Sequence, residues 1–127
     1  MLIRRKKMLI IEDSEPIVSR LISLLGNINN LDIIGSTNNG DTGINMIKES
    51  VPDLILLDLN LKGTSGLWVI KTIEKKDWKI KVIVLTNHAN EYLKELCIKH
   101  GAFAFYDKSY EFEAAIHLVN ELCDEKS

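Results

Sequence analysis

The chain has 127 residues, which suits one domain and leaves no room for two ordinary ones. Its net charge of −2 and pI near 5.9 lack the strongly basic balance expected of a nucleic-acid binder. No apolar run approaches the roughly 18 residues of a membrane span, and Glu12-Asp13 cuts short the apolar stretch after the basic run Arg4-Arg5-Lys6-Lys7, which argues against a signal peptide. Residues 1–6 are therefore expected to be a solvated basic lead-in, and membrane insertion is not expected.

Met8 to Ile11 is a continuous apolar run that ends in Glu12-Asp13. Ile17, Val18, Leu21, Ile22 and Leu25 then recur at helical spacing, with Ser14 as N-cap, Pro16 in the first turn and Gly26 as the stop. Leu31 to Gly35 reads as a second, weaker strand. Asp41 is expected to cap a short helix carrying Ile44, Ile47 and Val51, stopped by Pro52. Leu54 to Leu57 is apolar at every position, the pattern of a central parallel strand buried on both faces, and it ends in Asp58. A loop with Gly63 and Gly66 leads to a helix bearing Leu67, Ile70 and Ile73. Val82 to Leu85 is another buried strand, ending in Thr86. Leu93, Leu96 and Cys97 mark a fourth helix closed by Gly101, and Ala102 to Tyr106 a fifth strand ending near Lys108. Phe112, Ala115, Ile116, Val119, Leu122 and Cys123 form the clearest amphipathic stripe. Cys97 and Cys123 form no CxxC pair and fall on helical stripes, so they are expected to be buried reduced thiols in a reducing, cytoplasmic setting.

Five alternations of strand and helix imply an α/β fold, a (βα)5 doubly wound parallel sheet with right-handed crossovers. In such sheets ligands bind beyond the carboxyl ends of the strands, where the strand order reverses. The polar residues sit at those ends: Glu12 and Asp13 after the first strand, Asp58 after the third, Thr86 after the fourth, Lys108 after the fifth. With strand order 2-1-3-4-5, the first and third strands are neighbours at the reversal and three carboxylates are expected to meet. Crowded carboxylates repel and call for a cation, and an all-oxygen donor set suits Mg²⁺. Such a site also suits phosphoryl transfer, with Asp58 as nucleophile and Thr86 and Lys108 facing phosphoryl oxygens. Taken singly, each residue has an ordinary explanation: an acidic helix lead-in, a turn, a strand-end hydroxyl, a solvated lysine. Their joint placement at neighbouring strand ends favours the site.

The stretches Leu9 to Ser14, Pro52 to Leu61 with Gly63 and Gly66, Val82 to Thr86, and Gly101-Ala102 through Lys108 resemble, in order and spacing, the receiver domain of two-component response regulators. The resemblance covers nearly the whole chain and implies the flavodoxin-like fold. It implies that Asp58 accepts phosphate from a phosphohistidine on a histidine kinase or phosphotransfer protein. Mg²⁺ would be held by Glu12, Asp13, Asp58 and the backbone carbonyl of Asn60. Thr86 and Phe105 match the family's switch pair, although Phe105 is also readable as a plain core aromatic. Phosphorylation would shift the surface of the fourth helix, fifth strand and fifth helix for a protein target or a homodimer. Ser14, Glu15 and Val18 on the first helix would meet the kinase. Such a domain is a regulator rather than an enzyme, acting only on its own phosphotransfer and dephosphorylation.

Three positions depart from the family pattern. Ser109 replaces the usual proline after the lysine, Lys62 stands where many members carry proline, and Asn87 replaces a small residue after Thr86. The second leaves a less rigid loop as the expectation. Asn60 and His88 occupy positions that tune phosphate lifetime in the family. His100 and His117 have no second ligand at metal spacing, and Trp68 and Trp78 flank the third helix, with Trp78 expected to pack. The expectation is thus a single receiver domain, residues 1–127, without an output domain. The departures keep open a phosphate-independent interaction module. A hydrolase is disfavoured, for no cap segment or second acid–base carboxylate is evident near Asp58.

Overall fold

The computed structural model describes residues 4–87 and 89–124. Its elements alternate: β1 (Lys6–Ile11), α1 (Glu15–Leu25), β2 (Leu31–Thr37), α2 (Gly40–Ser50), β3 (Leu54–Leu57), α3 (Gly66–Lys76), β4 (Lys81–Thr86), α4 (Glu91–Lys99), β5 (Ala104–Asp107) and α5 (Phe112–Asp124). The strands are parallel and ordered β2-β1-β3-β4-β5, as expected. Among the described residues no helix is long and apolar enough to cross a membrane.

The continuous apolar runs follow from burial on both sheet faces. Met8, Ile10, Leu54, Leu56, Ile83 and Leu85 pack under α1 and α5, against Leu21, Leu25, Phe112, Ala115 and Val119. The alternate residues Leu9, Ile11, Ile55, Leu57, Val82 and Val84 pack under α2, α3 and α4, against Ile47, Val69, Ile70 and Cys97. Each such aliphatic side chain contributes about 1.5–3 kcal/mol on burial, so the central strands are the stiffest part of the chain. That stiffness fixes where their last residues point. Cys97 and Cys123 are buried free thiols, and burial pushes both thiol pKa values up. Trp78 packs against the second of these cores, whereas Trp68 is exposed.

Several local expectations need correction. Asn39, not Asp41, caps α2, because its side chain accepts the Asp41 and Thr42 amides. Val51 is not on the helical stripe: it is the C-cap, left-handed at φ 45°, and exposed. Ile22 of α1 is also exposed, since the helix turns only Leu21 and Leu25 fully inward. The second strand runs on to Thr37, where the Glu12 amide takes its carbonyl. The fifth begins at Ala104, not Ala102, because Gly101 at φ 104° and the bond from the Ala102 amide to the Cys97 carbonyl keep the chain in a helix-terminating turn.

Of the basic lead-in, residues 1–3 lie outside the described residues, and Arg4 and Arg5 are not merely solvated. Arg4 donates to both oxygens of Asp53, at 2.7 and 3.1 Å, and Arg5 donates to Asp32. The Lys7 amide also donates to Asp53, at 2.8 Å, so this carboxylate ties the start of β1 to the start of β3. Burial alone would raise the Asp53 pKa, but Arg4 and the Lys7 amide outweigh it and hold the carboxyl below its ordinary value. A depressed pKa stabilises the fold above the ordinary carboxylate range, and that contribution is lost as pH falls through the folded value. Asp53→Asn is accordingly expected to lower the unfolding free energy by about 1 kcal/mol at neutral pH. In urea titrations along a descending pH series, the gap between parent and variant should close below the ordinary aspartate value near 3.8.

Candidate functional site

Glu12, Asp58, Thr86 and Lys108 are the buried polar and charged residues among the described ones, and all four lie at the carboxyl edge of the sheet. β1 and β3 pair through Ile11 and Leu57, so Glu12 and Asp58 leave the sheet side by side. The Asp58 amide donates to the Ile11 carbonyl at 2.9 Å, which extends that pairing by one residue. β4 and β5 pair through Thr86 and Asp107, and the Lys108 amide donates to the Thr86 carbonyl at 2.9 Å. The lysine side chain then crosses back over β4. Its Nζ lies 2.7 Å from Glu12 Oε1 and 3.2 Å from Asp58 Oδ2.

Each carboxylate has a further anchor. The Ser14 amide donates to Glu12 Oε2 at 2.8 Å. The Asn60 amide donates to Asp58 Oδ1 at 3.2 Å. Burial pushes the Glu12 pKa up, and the charge of Asp58 adds to the rise, while Lys108 and the Ser14 amide pull it back. Counted as ionised groups, this edge carries more negative than positive charge. Two buried carboxylates face one ammonium, and the neighbouring Asp13 adds a third carboxylate in sequence.

The expectation that three carboxylates converge needs refinement. Asp13 is exposed, whereas Lys108 bridges the buried Glu12 and Asp58. Among the described residues, no three His, Cys, Asp or Glu side chains close on a common point at metal-binding spacing. A buried carboxylate needs a cation within reach, and Lys108 supplies it to both. The donor set still has the chemistry of a hard-cation site: carboxylates, a nearby main-chain carbonyl at Asn60, and more negative charge than Lys108 neutralises. Glu12 also borders a cavity of about 340 Å³, whose lining includes Glu15, Val18, Thr37 and Asn38.

Thr86 is fully buried, and among the described residues its Oγ1 has no hydrogen-bond partner. Phe105 lies in β5 across from Val84 and is buried in the core under α2, α3 and α4. Asn87 is exposed, and His88 lies outside the described residues.

Two positions that depart from the expected proline are each held by an amide hydrogen. The Lys62 amide donates to the Asn38 carbonyl at 3.1 Å. The Ser109 amide donates to Asp107 Oδ1 at 2.8 Å, with the Tyr110 amide beside it at 3.1 Å. Glu111 closes this turn by accepting the Asp107 amide. No described peptide bond is cis. The Lys62 amide thus ties its loop to the turn before α2, and with Ser109 behind it Lys108 reaches both Glu12 and Asp58. Sequence reading missed Ser14 and Asn60 as amide donors, and Asp107 as the turn's anchor. An Asp two residues before a serine is the pattern of an Asx turn, a signal that was present.

Residues 8–120 match the model of the response regulator receiver domain. The chain belongs to that family. It is 29% identical over 111 residues to the "Virulence factors putative positive transcription regulator BvgA" of Bordetella pertussis, covering 87% of this chain and 53% of that protein. The receiver thus spans about half the length of the curated relatives it matches. A DNA-binding response regulator of the LuxR family from Staphylococcus aureus superposes with TM-score 0.85 at 25% identity, over 94% of this chain and 99% of that one. The Mn²⁺-bound form of response regulator Rcp1 superposes with TM-score 0.77 at 26% identity, over 92% of the receiver and 91% of that chain.

Replacing Lys108 with methionine would leave two buried carboxylates facing each other. Lys108→Met is expected to cost about 3 kcal/mol near neutral pH. The cost should shrink as pH falls, because protonation of Glu12 relieves both the burial of its charge and its repulsion by Asp58, the two causes that raise its pKa. Urea unfolding of parent and variant at neutral and mildly acidic pH measures both.

Proposed function

We propose that Asp58 is the phosphoacceptor of this receiver domain and that Glu12, Asp13, Asp58 and the Asn60 carbonyl hold Mg²⁺ beside it. The observation that carries the reading is the edge itself: a strand-end aspartate with its carboxylate fixed by an amide and an ammonium, at the same edge as a buried hydroxyl that lacks a partner among the described residues. A bound divalent ion would neutralise phosphoryl oxygens and the crowded carboxylates. The Mn²⁺ held by a structurally similar response regulator supports that class of ion.

The donor is a phosphohistidine on a histidine kinase or phosphotransfer protein. An Asp58 oxygen forms the new O–P bond as the donor's N–P bond breaks, and the imidazole leaves as a neutral base after taking up a proton. Lys108, already 3.2 Å from Asp58 Oδ2, stays beside the group as charge accumulates there. Thr86 supplies the free hydroxyl, which gains a phosphoryl oxygen as acceptor. The phosphoryl group adds about −1.5 to −2 charge, and it biases the domain only by interacting differently with two states. Movement of Thr86 and Phe105 carries that bias to the α4–β5–α5 surface. A protein partner or an attached domain reads it there, and a second copy of the receiver is one such partner.

The kinase side has support of its own. Glu15 and Val18 line the same cavity as Glu12, and Ser14 anchors that carboxylate. Farther along α1, Ile22 and Leu24 are exposed, and a cavity of about 610 Å³ lies between α1 and α5. The setting proposed is cytoplasmic, where such kinases present their phosphohistidine.

Intact-mass spectrometry after incubation with acetyl phosphate and Mg²⁺ tests the proposal. The expected result is a single phosphoryl gain, absent without Mg²⁺ and absent in Asp58→Asn. No gain in the folded parent at any donor concentration would replace this reading with a phosphate-independent interaction module. A second measurement addresses the hydroxyl. Because its Oγ1 is buried without a partner among the described residues, Thr86→Val is expected to leave the unphosphorylated protein as stable as the parent, or more stable by up to about 1 kcal/mol. The variant should also lose most of the acetyl-phosphate-dependent change at α4–β5–α5, read as amide shifts.

A further inference from the structure

We infer that Asp41 and Thr64 are positioning residues, a clasp that holds the phosphoacceptor loop against the turn between β2 and α2; this rests on the reading of Asp58 as the acceptor. The loop runs from Asp58 to Ser65, between β3 and α3. Its two ends are already fixed. The Asn60 amide holds Asp58 Oδ1 at 3.2 Å, and the Gly66 amide donates to the Leu59 carbonyl at 3.1 Å. Any side chain at Gly66 would collide with the Asp58 carbonyl, so α3 starts directly on the acceptor's backbone.

In the middle of the loop Leu61 packs against the core under α2, α3 and α4, but the tip at Lys62 and Gly63 is exposed. What holds it is a short parallel bridge to the opposite turn. The Lys62 amide donates to the Asn38 carbonyl at 3.1 Å, and the Gly40 amide donates to the Lys62 carbonyl at 2.9 Å. Asp41 closes the arrangement from the first turn of α2. Its carboxylate accepts the Thr64 hydroxyl through Oδ1 and the Thr64 amide through Oδ2, the latter at 3.3 Å. The fit is tight on both sides. A side chain at Gly40 would run into the Thr64 carbonyl, and one at Gly63, where φ is +69°, would meet Asp41 Oδ2.

Asp41 and Thr64 touch neither Glu12 nor Lys108 in the hydrogen bonds of the described residues, so they act through the loop. An exposed Asp–Thr pair contributes little to global stability. It can nevertheless decide whether the Asn60 carbonyl and the Asp58 carboxylate stay oriented together, as outer partners of an ion site do. The clasp thus separates loop order from fold stability, which makes it testable.

The experiment compares the full chain with Asp41→Ala, Thr64→Val and Asp41→Asn. It reads amide hydrogen exchange at Lys62 and Thr64, Mg²⁺ affinity by calorimetry, and the maximal rate and half-saturating concentration for acetyl phosphate. Asp41→Ala is expected to speed exchange in the loop, weaken Mg²⁺ binding by about tenfold or more, and lower the maximal rate while leaving half-saturation and the thermal midpoint nearly unchanged. Thr64→Val should go the same way, and Asp41→Asn, which keeps an acceptor oxygen, should restore most of it. Parent-like exchange and parent-like Mg²⁺ affinity in Asp41→Ala would overturn the clasp. Should the parent itself take up neither Mg²⁺ nor phosphate, the acceptor reading fails, while the exchange comparison still decides whether Asp41 holds the loop.

Discussion

The ammonium of Lys108 is what makes the carboxyl edge of this sheet tolerable. Two carboxylates buried beside each other would repel and desolvate at the same time, and Glu12 shows the strain as a raised pKa. By reaching 2.7 Å to Glu12 and 3.2 Å to Asp58, Lys108 compensates both with one charge. The compensation is incomplete. That residual negative charge is what a divalent ion would meet, and a phosphoryl group arriving at Asp58 would compete for the same ammonium. The electrostatic frustration that burdens the resting fold is therefore the property a phosphoacceptor needs.

The rest of the structure exists to hold that edge still. The central strands are buried on both faces, so neither β1 nor β3 can slip by a residue without turning apolar side chains into the wrong core. Register in turn fixes Glu12 beside Asp58. Burial is thinner elsewhere: α4 buries only Cys97, β5 only Phe105 and β2 only Leu31. The polar switch candidate Thr86 sits between these two regimes, at the end of a stiff strand and next to the least anchored helix. A local event at Asp58 would meet less packing at α4 and β5 than among the central strands.

Loops around the site follow a common device. Where a proline would have stiffened the chain through its ring, this chain uses the amide hydrogen that proline lacks. Lys62 donates to Asn38, and Ser109 donates to Asp107. Rigidity by hydrogen bond depends on the partner's position, so it couples each loop to a neighbouring segment. One is coupled to the turn before α2, the other to its own Asx turn.

The sequence by itself determined the fold class, the strand order once the resemblance was recognised, and the identity of the residues at the strand ends. Those features are written in local patterns: runs of apolar residues, helical spacing, and a charged residue where each run stops. It also determined that Asp58, Thr86 and Lys108 share one edge, since parallel strands all end on the same side. Tertiary structure alone decided the pairings. Nothing local tells that Lys108 spends its charge on Glu12 as well as Asp58, that Asp13 stays exposed, or that Thr86 finds no partner among the described residues. The same holds for Ile22 and Val51, apolar residues at plausible helical positions that the packed helices turn outward. Periodicity specifies a face only to within a residue or so, whereas burial and ion pairing depend on distances set by the whole sheet.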